Sequence, residues 1–239
     1  VNLLLLSNST APGRRYLEHA HDVLAETLNG VSTVTFVPFA LADHDGYTEM
    51  FSSALKPLGM DVVGAHTADP AALVAEAEAV FVGGGNTFRL VSALHRHGLI
   101  TRIRDRVDRG MPYVGSSAGT NIAAPTLRTT NDMPIVQPPN FDTLGLVPFQ
   151  INPHYVDPVP GDTHMGETRE GRLIEFLEEN DVPVVALREG TWLRRGGGTL
   201  TLAGGESGGR LFERGVNPAE IASGADLSRL LAMTPRFDA

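Results

Sequence analysis

The 239-residue sequence predicts one α/β domain, 1–239, built on a doubly wound, mostly parallel sheet with helices on both faces and an antiparallel C-terminal extension. Three observations carry that expectation. Short, almost wholly apolar runs alternate with segments of helical spacing as far as Pro125. Strands that are apolar on both sides belong to a parallel sheet covered on both faces, with right-handed crossovers between them. Near the C-terminus, two β-rich runs flank Gly196-Gly197-Gly198, the pattern of an antiparallel hairpin. No long linker, internal repeat or low-complexity segment breaks the chain.

The elements follow in order. Asn2–Leu6 is an apolar run ending at Ser7-Asn8-Ser9-Thr10, with a helical segment reaching about Leu28. Thr33–Val37 is β-branched, and Tyr47–Leu58 has helical spacing. Asp61–Gly64 is a short strand, followed by an alanine-rich helix over Pro70–Glu78. Ala79–Val82 leads into Gly83-Gly84-Gly85, and Thr87–His97 reads as a helix. Met111–Val114 is a strand and Thr120–Ala124 a brief helix stopped by Pro125. Arg128–Asn140 is polar and proline-punctuated, a loop of functional length. Phe149–Asn152 and Val182–Leu187 are strands on either side of a helix over Glu167–Glu179. Thr191–Arg195 and Thr199–Leu202 form the hairpin, and Gly204-Gly205 and Gly208-Gly209 mark further hairpin turns.

Composition narrows the function. The 28 acidic and 19 basic residues give a formal charge of -9, and Lys56 is the sole lysine, so no surface tracks a phosphate backbone and no nucleic-acid partner is expected. The absence of cysteine removes disulfide and thiolate chemistry. No apolar run approaches a membrane span, and Leu3–Leu6 is too short, without a basic flank, for a signal peptide. A cytoplasmic protein is expected, as a monomer or a homodimer.

The motif that carries chemistry is Gly115-Ser116-Ser117-Ala118-Gly119, a G-x-S-x-G between a strand and a helix. A serine so placed sits on a tight turn with its hydroxyl exposed. The Ala118 N–H would then lie beside an oxyanion formed at a carbonyl attacked by Ser117. Small residues also cluster in ordinary turns, so the motif alone is weak. Ser117 needs a base, and His154, after Ile151-Asn152-Pro153 at the carboxyl end of a strand, is placed for it; otherwise it is a surface-loop histidine. His19, His21, His95 and His97 have i, i+2 spacings that diverge on a helix and read as surface residues. No metal-ligand spacing appears, so no metal or other cofactor is expected.

A third group must orient the imidazole. Asp132 and Glu189 compete for that role. Asp132 can equally close an Asx-turn before Pro134, and Glu189 can pair with Arg188 in solvent. Glu189 follows a strand that could lie next to that of His154. Gly83-Gly84-Gly85 lacks both nucleotide-binding spacings and suits either a tight turn or backbone donors near an anionic centre. Arg169 stands near a helix start, where the macrodipole disfavours a cation. It can grip a substrate carboxylate with two parallel hydrogen bonds, or pair with Glu167 or Glu170 at the surface.

Several blocks together resemble the peptidase E (α-aspartyl dipeptidase) family, serine peptidases that also include cyanophycinase. They are Leu3–Thr10 (LLLLSNST), Gly83–Phe88 (GGGNTF), Gly115–Gly119 (GSSAG), Thr129–Val136 (TTNDMPIV), Gln150–His154 (QINPH), Gly166–Glu170 (GETRE) and Glu189–Trp192. The resemblance implies a class I glutamine amidotransferase-like, flavodoxin-like fold with serine in place of cysteine. It implies cofactor-free hydrolysis of small peptides with an N-terminal aspartate. Ser117 matches the nucleophile, His154 the base, Asp132 and Glu189 the two candidate acids, and Arg169 the ligand of the substrate aspartate. Gly85 and Ala118 match the oxyanion donors. Ser116 departs from the tryptophan of enteric members, and the tail after about Ala203 has no assigned role. The rival readings are another hydrolase on this scaffold, cleaving β-aspartyl peptides or esters, and a binding protein without catalysis.

Overall fold

In the computed structural model, which describes residues 1–11, 13–158, 161 and 166–239, strand β1 (Asn2–Leu6) sends Leu3 and Leu5 to one face of a sheet and Leu4 and Leu6 to the other. All four leucines are fully buried. Strands β2 (Thr33–Val37), β3 (Asp61–Gly64), β4 (Ala79–Val82) and β5 (Tyr113–Ser116) join it in the order β3-β2-β4-β5-β1, every pair parallel. Helices α1 (His21–Thr27) and α2 (His44–Leu55) cover the Leu4/Leu6 face through Leu24, Tyr47, Phe51 and Leu55. Helices α3 (Pro70–Glu76), α4 (Thr87–Arg96) and α5 (Leu99–Asp108) cover the opposite face through Val74, Leu90, Leu94, Ile103 and Val107. Polar caps start three of these helices: Asp43, Asp69 and Asn86 accept from Gly46, Ala71 and Arg89 backbone N–H groups. A short helix α6 (Ala118–Asn121) follows β5 directly.

Beyond α6 come β6 (Gln150–Asn152), α7 (Arg169–Glu179), β7 (Val184–Leu187), β8 (Thr191–Gly196), β9 (Thr199–Gly204), β10 (Gly209–Phe212) and β11 (Ala219–Ile221). The β8–β9 hairpin pairs antiparallel with the outer edge of β1, completing seven strands. The remaining strands make a second sheet, in the order β11-β10-β7-β6, in which only β6 and β7 are parallel. Residues alternate across β7: Val185 and Leu187 enter the main core, while Val184 and Ala186 pack with Tyr155, Leu173, Leu177 and Phe212 beneath α7.

The molecule therefore departs from the single sheet expected. A strand has two hydrogen-bonding edges, and those of β1 are taken by β5 and β8, so β6 and β7 do not continue the parallel array past β1 and pair with each other instead. The turn over Gly205–Gly208 passes the chain from one sheet to the other rather than closing a hairpin. Helix α5 and strands β10 and β11 have no counterpart among the predicted elements, and α7 starts two residues later than expected, capped by Thr168.

Because β1 is covered on both faces, Leu5→Ala is expected to cost about 2–5 kcal/mol, read as a lowered urea midpoint. Truncating the exposed Ile174 should change stability by no more than about 0.5 kcal/mol.

Candidate active site

The loop after β5 is shaped by close packing. A Cβ on Gly115 would run into Gly119 O, and a Cβ on Gly119 into Val82 O, so neither position admits a side chain. Between them Ser117 adopts φ 54°, ψ -110°, a conformation few non-glycine residues take. It is held there by its N–H donating to Leu6 O at 3.1 Å, and by its carbonyl accepting from Thr120 and Asn121 N–H groups at 2.9 Å each. The hydroxyl is thereby presented at the carboxyl ends of β1 and β5. Ser116 is fully buried below, and does not line the cavity above Ser117.

His154 follows β6 and is also left-handed, with φ 54°. Its backbone N–H donates to Ser7 Oγ at 2.9 Å, and that hydroxyl donates to Leu187 O at 2.9 Å. Its Nε2 stands 2.9 Å from Ser117 Oγ, and its Nδ1 lies 2.7 Å from Glu189 Oε1. Parallel pairing of β6 with β7 is what brings His154 and Glu189 to the same end of the second sheet. The turn carrying Glu189 is pinned by Gly190 N–H donating to Asn8 Oδ1 at 2.7 Å.

Asp132 occupies the opposite wall and makes no contact with His154. One of its oxygens accepts from Thr87 N–H at 2.7 Å and Thr87 Oγ1 at 2.6 Å. Its loop is tied to the histidine segment by Asn131 Nδ2, which donates to Pro153 O at 2.8 Å. Arg169, the first residue of α7, completes the wall. Among the described residues it forms no ion pair, and its Nη1 is buried without a hydrogen-bond partner. Burial, with a smaller contribution from Arg172, holds its guanidinium below the usual arginine range, and the carboxylates of Glu189 and Asp132 oppose this. Thr87, Ser117, Ala118, Thr130, Asp132, His154 and Arg169 thus share one cavity of about 240 Å³. A larger cavity of about 680 Å³, bounded by Phe88, Arg128 and Phe141, holds neither the serine nor the histidine.

The glycine run packs against this site. Gly84 abuts Ser117, where an added Cβ would come within 3.0 Å of the serine Cβ. The adjacent Gly83 packs on the buried Tyr47, whose hydroxyl would lie 2.5 Å from an added Cβ. Gly85 turns at φ 132° over Ala40, and a side chain there would meet Ala40 O at 2.6 Å. Ala118 opens α6, so its N–H has no partner within the helix. His19, His21, His95 and His97 are half-buried rather than exposed and lie outside the cavity. Among the described residues no group of three acids and histidines is placed to hold a metal ion.

Residues 3–203, spanning all of these side chains, match peptidase family S51. The chain belongs to this family. It is 62% identical over 239 residues to "Peptidase E" of Streptomyces coelicolor, covering all of this chain and 98% of that one. It is 50% identical over 234 residues to a Drosophila melanogaster protein named "Probable alpha-aspartyl dipeptidase", covering 96% and 97%. A solved structure from Listeria monocytogenes EGD-e superposes with TM-score 0.65 at 25% identity, over 85% of this chain and 98% of that one. A peptidase from an acI-B1 Actinobacterium shares the fold at TM-score 0.65 and 16% identity, over 95% and 96%. The S51 chain is thus a serine-type dipeptidase, and no helix among its described residues is long and apolar enough to cross a membrane.

Several residues that shape this S51 site escaped the sequence reading as functional positions. Ser7 holds the His154 backbone N–H, Asn8 the Gly190 N–H beside Glu189, and Thr87 the Asp132 carboxylate. Only the polar Ser7-Asn8-Ser9-Thr10 at a strand end signalled any of them. Ser7→Ala leaves the His154 N–H without its acceptor, an expected loss of about 1–3 kcal/mol in stability. Displacing the imidazole should also lower kcat/KM on a dipeptide by up to about 10²-fold. Urea denaturation and steady-state kinetics check the two effects.

Proposed function

We propose that the chain hydrolyses dipeptides with an N-terminal aspartate through Ser117, His154 and Glu189 and an acyl-enzyme intermediate. The observation that carries this reading is the pairing of Ser117, His154 and Glu189 around a cavity whose one cation, Arg169, has no anionic partner among the described residues. An unpaired, partly desolvated guanidinium is costly to keep unless a ligand carboxylate completes it. The names of the Streptomyces and Drosophila relatives support the same substrate class.

In this mechanism His154 Nε2 takes the Ser117 proton as Oγ attacks the Asp-Xaa carbonyl carbon. Gly85 and Ala118 N–H groups receive the oxyanion. His154 then protonates the departing amine, and the C–N bond breaks to leave an aspartyl ester on Ser117. Water, deprotonated by the same imidazole, attacks that ester, and the proton returns to Ser117 as free aspartate leaves. Glu189 holds the Nδ1–H tautomer and stabilises the transient imidazolium. Asp132, fixed by Thr87 on the opposite wall, carries the charge to receive the substrate α-ammonium. We also infer a class I glutamine amidotransferase-like scaffold: counted from β2, the parallel strands follow the flavodoxin order 2-1-3-4-5, with β1 as the fifth.

Ser117→Ala is expected to leave only a residual rate on Asp-Leu, with roughly 10³-fold acceleration over water retained from binding and the oxyanion donors. Wild-type turnover by this variant would overturn the nucleophile assignment. Arg169→Ala should lower kcat/KM for Asp-Leu far more than for Ala-Leu, whereas equal losses would remove its role in specificity. Glu189→Gln should lower kcat more than Asp132→Asn, and Asp132→Asn should act mainly on KM; the reverse pattern would exchange their roles. A panel of α-Asp-Leu, β-Asp-Leu and a nitrophenyl ester separates this reading from the cyanophycinase-like and esterase alternatives.

A further inference from the structure

Outside the cavity lining lies a charged cluster built largely from the immediate neighbours of the site residues. Tyr155 follows His154, Arg188 precedes Glu189, and Glu170 follows Arg169. Arg210, on β10, reaches two of these segments directly and Arg188 through shared carboxylates. Its Nη1 donates to Glu170 Oε2 and, at 3.2 Å, to Tyr155 Oη, and its Nε lies 3.3 Å from Glu220 Oε1. Arg188 donates to Asp157 at 2.6 and 2.8 Å and to Glu220 at 2.9 and 3.0 Å. Asp157 also lies 3.9 Å from Arg210 Nη1, so the two arginines share both Asp157 and Glu220. Arg210 is 16% exposed and packs on the Phe212 ring.

We propose that Arg210 is a positioning residue for the hydrolytic site, aligning His154, Glu189 and Arg169 through Tyr155, Arg188 and Glu170. Adjacent residues are joined by one planar peptide, and consecutive helical residues diverge by about 100°. Fixing one member of each pair therefore sets the direction of the other. Glu170, held on Arg210, sets the rotation of the first turn of α7 and so the aim of Arg169. Tyr155, 2% exposed and held by Arg210 through its hydroxyl, fixes the strand end that carries His154. The two arginines are largely buried while Asp157 and Glu220 stay 44% and 65% exposed, so these ion pairs add little to stability. Their arrangement around three cavity neighbours fits a demand for geometry instead. The role falls on the C-terminal tail, beyond residue 203, where the S51 match ends.

The alignment of Arg169 toward an aspartyl carboxylate rests on the function proposed above, and the test separates the two. Arg210→Met, the isosteric Glu170→Gln and the double variant are assayed in the full chain, with rates divided by the folded fraction from circular dichroism. Each single variant is expected to lower kcat/KM on Asp-Leu roughly tenfold through a raised KM and a displaced pH profile. The double variant should be no worse than the worse single one, because both break one connection. Arg210→Lys, which retains the charge, should recover part of the loss. Fully additive losses, or per-folded-enzyme kcat, KM and pH profile equal to wild type, would overturn the proposal. Should Arg210→Met not fold, Glu170→Gln decides by the same KM and pH criteria. A wild-type enzyme indifferent between Asp-Leu and Ala-Leu would overturn the substrate reading alone, since the variants' kinetics on either dipeptide still judge the alignment.

Discussion

The two sheets meet at the end of β1, and the arrangement of Ser117, His154 and Glu189 depends on what that strand end does with its polar groups. Leu6 O accepts the Ser117 N–H at 3.1 Å and lies 2.6 Å from Thr120 Oγ1, fastening the loop after β5 to the first sheet. Ser7 N–H donates to Thr191 O, while its hydroxyl accepts from His154 and donates to Leu187 O. Asn8 then takes the Gly190 N–H beside Glu189. Three consecutive residues thus tie the segments carrying Ser117, His154 and Glu189 to one point. Three buried leucines immediately before them make that point rigid.

Rigidity is needed because the site is locally strained. Ser117 and His154 are two of only four non-glycine residues with positive φ among those described. Each such conformation costs on the order of 1–3 kcal/mol and persists only where the surroundings over-determine it. At Ser117 the surroundings are the glycines that let β4, β5 and α6 approach, plus three backbone hydrogen bonds. At His154 they are the Ser7 hydroxyl, the Tyr155 N–H bond to Leu187 O and the Asn131 amide on Pro153 O. The strain has a use: it points two side chains, from different sheets, at the same space.

Much of this was legible in the residues. Apolar runs such as Leu3–Leu6 and Ala79–Val82 can only be strands buried on both faces, and Gly115 and Gly119 announce close backbone approach around Ser117. The strand before His154 and the strand before Glu189 read correctly as elements because each is apolar and ends at a breaker. Their membership of a second sheet was not legible, because it depends on which edges β1 leaves free. Helix α5 was obscured by arginines and aspartates, although Leu99, Ile100, Ile103 and Val107 carry a helical stripe. The choice between Asp132 and Glu189 turned on loop placement: Thr87, 45 residues away, captures Asp132 and fixes it on the opposite wall. Arg210 gave no local signal, since its partners come from three separate segments.

Under the proposed function, the distribution of charge accounts for how an acidic protein would present a site for an acidic substrate. With a formal charge of -9, the molecule repels anions at long range, but that field is screened beyond about 8–10 Å at ordinary ionic strength. Close in, the arrangement of paired and unpaired charge decides. Arg188 and Arg210 are already paired with Asp157, Glu170 and Glu220. Arg169 is the cation in the cavity left without a carboxylate among the described residues, and its desolvation strengthens any pairing it makes. A carboxylate carried on a small peptide satisfies that guanidinium, and a cavity of about 240 Å³ leaves room for little more. Discrimination by such a site rests on the penalty for leaving Arg169 unpaired, which a neutral side chain would incur and an aspartate would not.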